Sequence, residues 1–111
     1  MKISHDEVKP GMAAVTLSGR VILGPLSEQI VTLIDELLRQ GTRTIIFDLT
    51  AVTGLDSTGI GHFISSYNKI AAAGGTMRMA GASGHVFDVF HISQLDRVFP
   101  FYATVGEASK A

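Results

Sequence analysis

The residues best suited to chemistry lie in one short stretch, Gly54-Leu55-Asp56-Ser57-Thr58-Gly59-Ile60-Gly61, between an apolar run and an amphipathic segment. Asp56 and Ser57 are both good helix caps, because a side-chain oxygen at that position accepts a hydrogen bond from an amide that the first turn leaves unpaired. Capping accounts for the acid and the hydroxyl but not for Gly59 and Gly61. A glycine inside a helix costs about 1 kcal/mol relative to alanine. Small residues here predict a bare helix start, where another molecule can approach the Ser57 hydroxyl closely. An exposed serine is the expectation.

Enzyme patterns fit the stretch poorly. A nucleophile elbow places glycine at both second-neighbour positions of the serine; Gly59 meets this and Leu55 does not. An aspartic-protease motif would follow Asp and Ser with Gly, but Thr58 intervenes and no second copy supplies a partner carboxylate. The glycine spacing misses the dinucleotide fingerprint, and no lysine between Lys9 and Lys69 could serve a phosphate-cradling loop. No base is recognisable that would activate Ser57 as a nucleophile. His5, His62, His85 and His91 lack metal-ligand spacing, so neither a metal nor a cofactor is expected. Asp48 ends a strand-like run, as catalytic carboxylates often do in α/β proteins, but Thr50 stands where a haloacid-dehalogenase-like motif needs its second acid. Asp48 therefore reads as a loop-organising acceptor.

The surrounding pattern must position Ser57. Ala13, Val15 and Leu17 alternate with Ala14, Thr16 and Ser18, which predicts a strand ending in a break or bulge at Gly19. From Pro25 the period becomes helical: Leu26, Ile30, Leu33, Ile34, Leu37 and Leu38 share a face, Asp35 and Arg39 stand four apart, and Gly41 suits a position past the end. Thr44 to Leu49 is β-branched and apolar with little alternation, as in a central strand covered on both faces. After a loop around Gly54, a second helix carries Ile60, Phe63, Ile64, Tyr67, Ile70 and Ala71 on one face and stops at Gly74-Gly75. Thr76 to Ala80 reads as a strand, Ser83 as the cap of a third helix with Val86, Val89 and Phe90, and Phe99 to Tyr102 as extended chain before a short helical tail. The aromatics fall mostly on core faces. Strand and helix in repeated alternation imply an α/β sheet with substantial parallel pairing.

Composition sets outer limits. In 111 residues, 46% of them apolar, there is material for one core, so a single domain over residues 1–111 is expected. A net charge of -1 gives no basic excess for nucleic acid or anionic lipid. No apolar run approaches the roughly 20 residues of a membrane span, and the polar start MKISHDEVKP has no signal-peptide core. Cysteine is absent, which suits a reducing compartment such as the cytoplasm.

The chain resembles a stand-alone STAS domain, specifically the anti-sigma factor antagonists of bacterial partner-switching systems. The likeness runs nearly end to end, through LSGRV, FDLTAVTGLDSTGIG, GGTMRMAG and SQLDRVFPFY. It implies a STAS fold, an α/β unit with a four- to five-stranded mixed sheet and helices mainly on one face. It also implies a regulatory binding module, not an enzyme. By the same resemblance Ser57 is phosphorylated by an anti-sigma factor that is itself a serine kinase of the histidine-kinase-like ATPase fold. The unphosphorylated antagonist binds that kinase and frees its sigma factor, and a metal-dependent serine phosphatase resets the phosphorylated form. The implied contact set is Asp56, Ser57, Thr58, Gly59, Ile60 and Gly61, completed by Gly24 and Asp48; Thr58 is the rival acceptor. Arg20-Val21-Ile22-Leu23 departs from relatives with acidic residues there, which implies a partner-contact loop of different chemistry. Two other functions fit the pattern: a STAS scaffold docking other STAS proteins in a sensory or stress complex, and a nucleotide or small-ligand sensor using the amides of the helix start.

Overall fold

The structure, a computed structural model, describes residues 1–111. Two strands, β1 (Lys2–Lys9) and β2 (Met12–Val21), precede α1 (Pro25–Arg39), β3 (Thr44–Leu55) and α2 (Ser57–Ala72). Then come β4 (Thr76–Ala80), α3 (Gly84–Ile92), a single 3₁₀ turn at Leu95–Arg97, the short β5 (Phe101–Tyr102) and α4 (Val105–Ser109). The strands form one mixed sheet in the order β1-β2-β3-β4-β5, antiparallel only between β1 and β2. From β2 onward each parallel strand is added on the same side of the last. Crossovers of one hand must then lay α1, α2 and α3 on one face.

Side-chain parity divides the core accordingly. Val15, Leu17, Ile45, Phe47, Leu49, Met77 and Met79 pack with Ile30, Ile34, Phe63, Ile70, Val86 and Phe90 from the three helices. On the other face Ile46 and Ala80 meet only Ala108 of α4 and its neighbours. Phe63 lies at the centre of the larger core, edge-on to Phe47 at 5.2 Å between ring centroids and to Phe90 at 5.6 Å. Such pairs add to the stabilisation from buried area alone. Phe63 thereby fixes α2, six positions beyond Ser57, to both the central strand and α3.

β3 does not end at Leu49 as its apolar run suggests. It continues to Leu55, so Gly54 is strand, not loop, and Asp48 lies in mid-strand. Two irregularities make this possible. Two steps along β2, from Thr16 to Ser18, match three along β3, from Asp48 to Ala51; the single step from Gly19 to Arg20 matches two, from Val52 to Gly54. Each bulge shifts the alternation of faces. Leu49 and Val52 can therefore both enter the core, and Leu55 returns to it. Gly19, with φ +82, sits at the second bulge.

Other departures have plain causes. β1 is an exposed edge strand whose only apolar side chain packed on the core is Ile3, so alternation gave little sign of it. In α1 it is Ser27 that is buried, its Oγ donating to the Gly24 carbonyl at 3.1 Å, while Leu26 turns outward. Asp35 pairs across to Lys69 of α2 at 3.0 Å and Arg39 pairs with Glu36, so the anticipated Asp35–Arg39 link is not made. In α2 the buried face is Gly59, Phe63, Ser66 and Ile70, which leaves Ile64 and Ala71 exposed. Ser83 takes the N-cap position of α3 without making a side-chain cap bond.

The core assignment makes a quantitative prediction. Phe63→Ala is expected to lose about 3–5 kcal/mol of unfolding free energy, the cost of deleting a buried aromatic ring. Ile64→Ala, on the exposed side of the same helix, should lose less than about 1 kcal/mol. Urea unfolding of the two variants checks the orientation of α2.

Candidate functional site

Ser57 is the first residue of α2, and Asp56 before it is the N-cap in extended conformation (φ -118, ψ -177). One Asp56 oxygen accepts from the Gly59 amide at 2.8 Å. The other accepts from the Leu23 amide at 2.9 Å, in the loop between β2 and α1. The Asp56 amide in turn donates to the Val21 carbonyl at 3.4 Å. One residue thus joins the end of β2, the loop after it and the start of α2. These amide bonds, from Leu23 first and Gly59 second, outweigh desolvation and hold the Asp56 carboxyl below its ordinary value of 3.8. The site carries a fixed negative charge at neutral pH.

Since Asp56 supplies the capping oxygen, the Ser57 hydroxyl is left at the exposed helix start. The helix surface beyond it is smooth and uncharged: Gly61 is one turn on, followed by Ile64 at 39% exposure, Ser65 and Asn68. Thr58 and Ile60 are half-buried beside this strip.

The two glycines prove to have different reasons. Gly59 does not leave the helix bare. It is buried, and a Cβ there would run into the Val21 carbonyl oxygen, so glycine is required for α2 to lie against the end of β2. The expectation of an open approach is corrected for this residue by the packing of its own chain. Gly61 meets that expectation: it is exposed and a Cβ there would touch nothing within 4 Å.

Gly24 joins the cluster through Leu23, its backbone at φ +153 in a region that side chains other than glycine rarely adopt. Asp48 does not join it. Paired opposite Ala80, it points to the sheet face away from α2, and its Oδ1 accepts from the Thr50 amide at 3.1 Å and hydroxyl at 2.6 Å. It is a local turn organiser within the strand. Sequence reasoning missed the Leu23–Asp56 bond, because backbone amides carry no residue signature. The one available clue was the apolar Ile22-Leu23 pair just before a Gly-Pro helix start.

Two predictions follow from this geometry. Gly59→Ala should cost at least about 1–3 kcal/mol by overpacking, although alanine is the better helix former, while Gly61→Ala should gain up to about 1 kcal/mol. Opposite signs in chemical denaturation are the check. Because the folded-state pKa of Asp56 is depressed, its contribution to stability is complete above the unfolded value and is lost as pH falls through the folded one. The stability difference between wild type and Asp56→Asn should therefore be constant near neutrality and shrink below pH 3.8, which urea midpoints taken across the acid range would measure.

No helix is long and apolar enough to cross a membrane. Comparison with known proteins places the arrangement. The STAS domain family matches residues 5–108. A Thermotoga neapolitana protein named as a putative anti-sigma factor antagonist, the TM1081 homolog, is 30% identical over 74 residues. That match covers 67% of this chain and 66% of the relative, so the chain spans about two thirds of that relative's length. The solved structure of the anti-sigma factor antagonist SpoIIAA in its unphosphorylated form is 26% identical, with a TM-score of 0.82 over 96% of this chain and 92% of that one. The phosphorylated form of SpoIIAA, a Bacillus cell fate determinant, is 24% identical with a TM-score of 0.77 over 98% and 97%. With a family match spanning nearly the whole sequence and a close overall superposition on SpoIIAA, this chain belongs to the STAS domain family and has the anti-sigma factor antagonist fold.

Proposed function

We propose that the chain is an anti-sigma factor antagonist, a binding module and not an enzyme, which sequesters a serine-kinase anti-sigma factor until Ser57 is phosphorylated. The observation that carries this reading is the presentation of Ser57. Its hydroxyl is released from capping duty by Asp56 and set at the head of a neutral helix face, on a family member whose relatives are named for anti-sigma factor antagonism. The kinase is of the histidine-kinase-like ATPase fold, and a metal-dependent serine phosphatase restores the hydroxyl. The contact face comprises Asp56, Ser57, Thr58, Ile60 and Gly61 with Gly24, and Gly59 supports it from beneath.

The physics of release is local. A phosphate adds about -1.5 to -2 charges at neutral pH, at a helix start whose dipole favours anions. The helix is expected to tolerate it. SpoIIAA has been solved in both states, and both share the fold of this chain. The interface is not expected to tolerate it, because the new dianion stands next to an Asp56 already held ionised. A surface fitted to a small hydroxyl would have to bury both without a counterion.

Ser57→Asp should remain folded, with a melting temperature close to wild type, and lose the kinase. Ser57→Ala should keep the kinase and no longer be released by ATP. Affinity capture from native lysate with wild type and Ser57→Asp side by side, with retained proteins identified by mass spectrometry, tests the pair. A phosphopeptide map separates Ser57 from Thr58. Retention of the same proteins by both forms would remove the switch and put a STAS scaffold in its place.

A further inference from the structure

The loop that Asp56 anchors borders a groove of about 540 Å³, walled by Ile22, Leu23, Pro25 and Leu26 with Arg20 at its edge. Its walls are built to stand out. The burial of Ser27 turns Leu26 outward to 49% exposure, and the Asp56 bond to the Leu23 amide fixes a side chain that is 73% exposed. Arg20 carries the only charged side chain lining the groove, and the other charge there, the Met1 ammonium, is of the same sign. The structure's ion pairs are Arg39–Glu36, Lys69–Asp35 and His91–Asp96, so Arg20 has no acid of its own. Asp56, the nearby carboxylate, is committed to two amides.

A cation set among exposed leucines is complementary to a carboxylate set among apolar side chains. The occupant matches a protein surface better than a small molecule, since a small-ligand site encloses its ligand whereas these leucines lie mostly in solvent. Through the Leu23–Asp56 bond the groove is also continuous with the Ser57 face. Resting on the reading that this face meets a kinase, we infer that the groove receives an apolar segment of that partner carrying an aspartate or glutamate, which pairs with Arg20. Arg20 and Leu23 are then specificity determinants, separate from the phosphorylation switch.

Two measurements on the full chain test this. In the first, amide shifts are followed by NMR during titration with octanoate and, separately, octylammonium. Octanoate should shift the amides of Arg20 to Gly24 and Leu26 and bind about threefold to fivefold more tightly than octylammonium, and Arg20→Gln should cut that preference at least about twofold, leaving only what the Met1 ammonium supplies. Equal binding of the two probes, or shifts confined to other regions, would overturn the inference. In the second, a kinase of the histidine-kinase-like fold is chosen for its ability to phosphorylate wild type at Ser57. Arg20→Glu and Leu23→Ser should each weaken its binding at least about tenfold without lowering the melting temperature, and Arg20→Lys should retain most of it. Wild-type affinity in both weakened variants would overturn the groove while leaving Ser57 switching intact, including where octanoate itself binds tightly and marks a small-molecule site. If no such kinase modifies Ser57, the proposed function fails, and the probe preference alone decides the chemistry of the groove.

Discussion

The Asp56 carboxylate bonds two backbone amides that belong to different parts of the chain, Gly59 in the first turn of α2 and Leu23 in the loop after β2. Remove it and three things loosen together: the helix start, the loop, and the angle between them. The supporting structure serves the same end. Two bulges in β3 carry the chain on beside the carboxyl end of β2, where Asp56 can reach Leu23, and Gly59 lets α2 lie against the Val21 carbonyl. Phe63 then fixes the far side of the helix to the core.

This dependence orders the roles within the Asp-Ser-Thr-Gly segment. Asp56 is structural and charged, Gly59 is structural and buried, and Ser57 is the residue left over, with neither packing nor capping to perform. A side chain without a structural task can take a modification at little cost to the fold. Its neighbour's fixed charge makes the same modification costly to any surface pressed against it.

Much of the architecture was legible in the sequence because periodicity and chain breakers agreed. Pro25 opens α1, Gly41 and Gly74 follow the ends of α1 and α2 with positive φ, and the apolar run from Thr44 does lie between two parallel strands. What was hidden depended on partners distant in sequence. β1 shows no apolar alternation because it is an edge strand with polar side chains exposed on both faces. Gly59 and Gly61 are the same letter two places apart, and only the position of the Val21 carbonyl tells a packing glycine from an open one. Asp48 looked like a strand-end acid because a bulge, invisible in composition, let the strand continue past it. The location of the candidate site was readable from its motif. Its attachment to the loop at Leu23 was not, since that link is made through a main-chain amide.

The bond from Asp56 to Leu23 spans 33 positions of sequence. It closes only after β2 and β3 have paired and α2 has docked, so it belongs to the late, non-local contacts of folding. An unfolded or half-synthesised chain contains the same letters around Ser57 without the geometry that displays them. A partner that recognises the displayed serine together with the leucine loop beside it therefore reads whether the chain has finished folding as well as whether it has been modified. Such a partner would pass over newly made or damaged copies without any separate means of inspection.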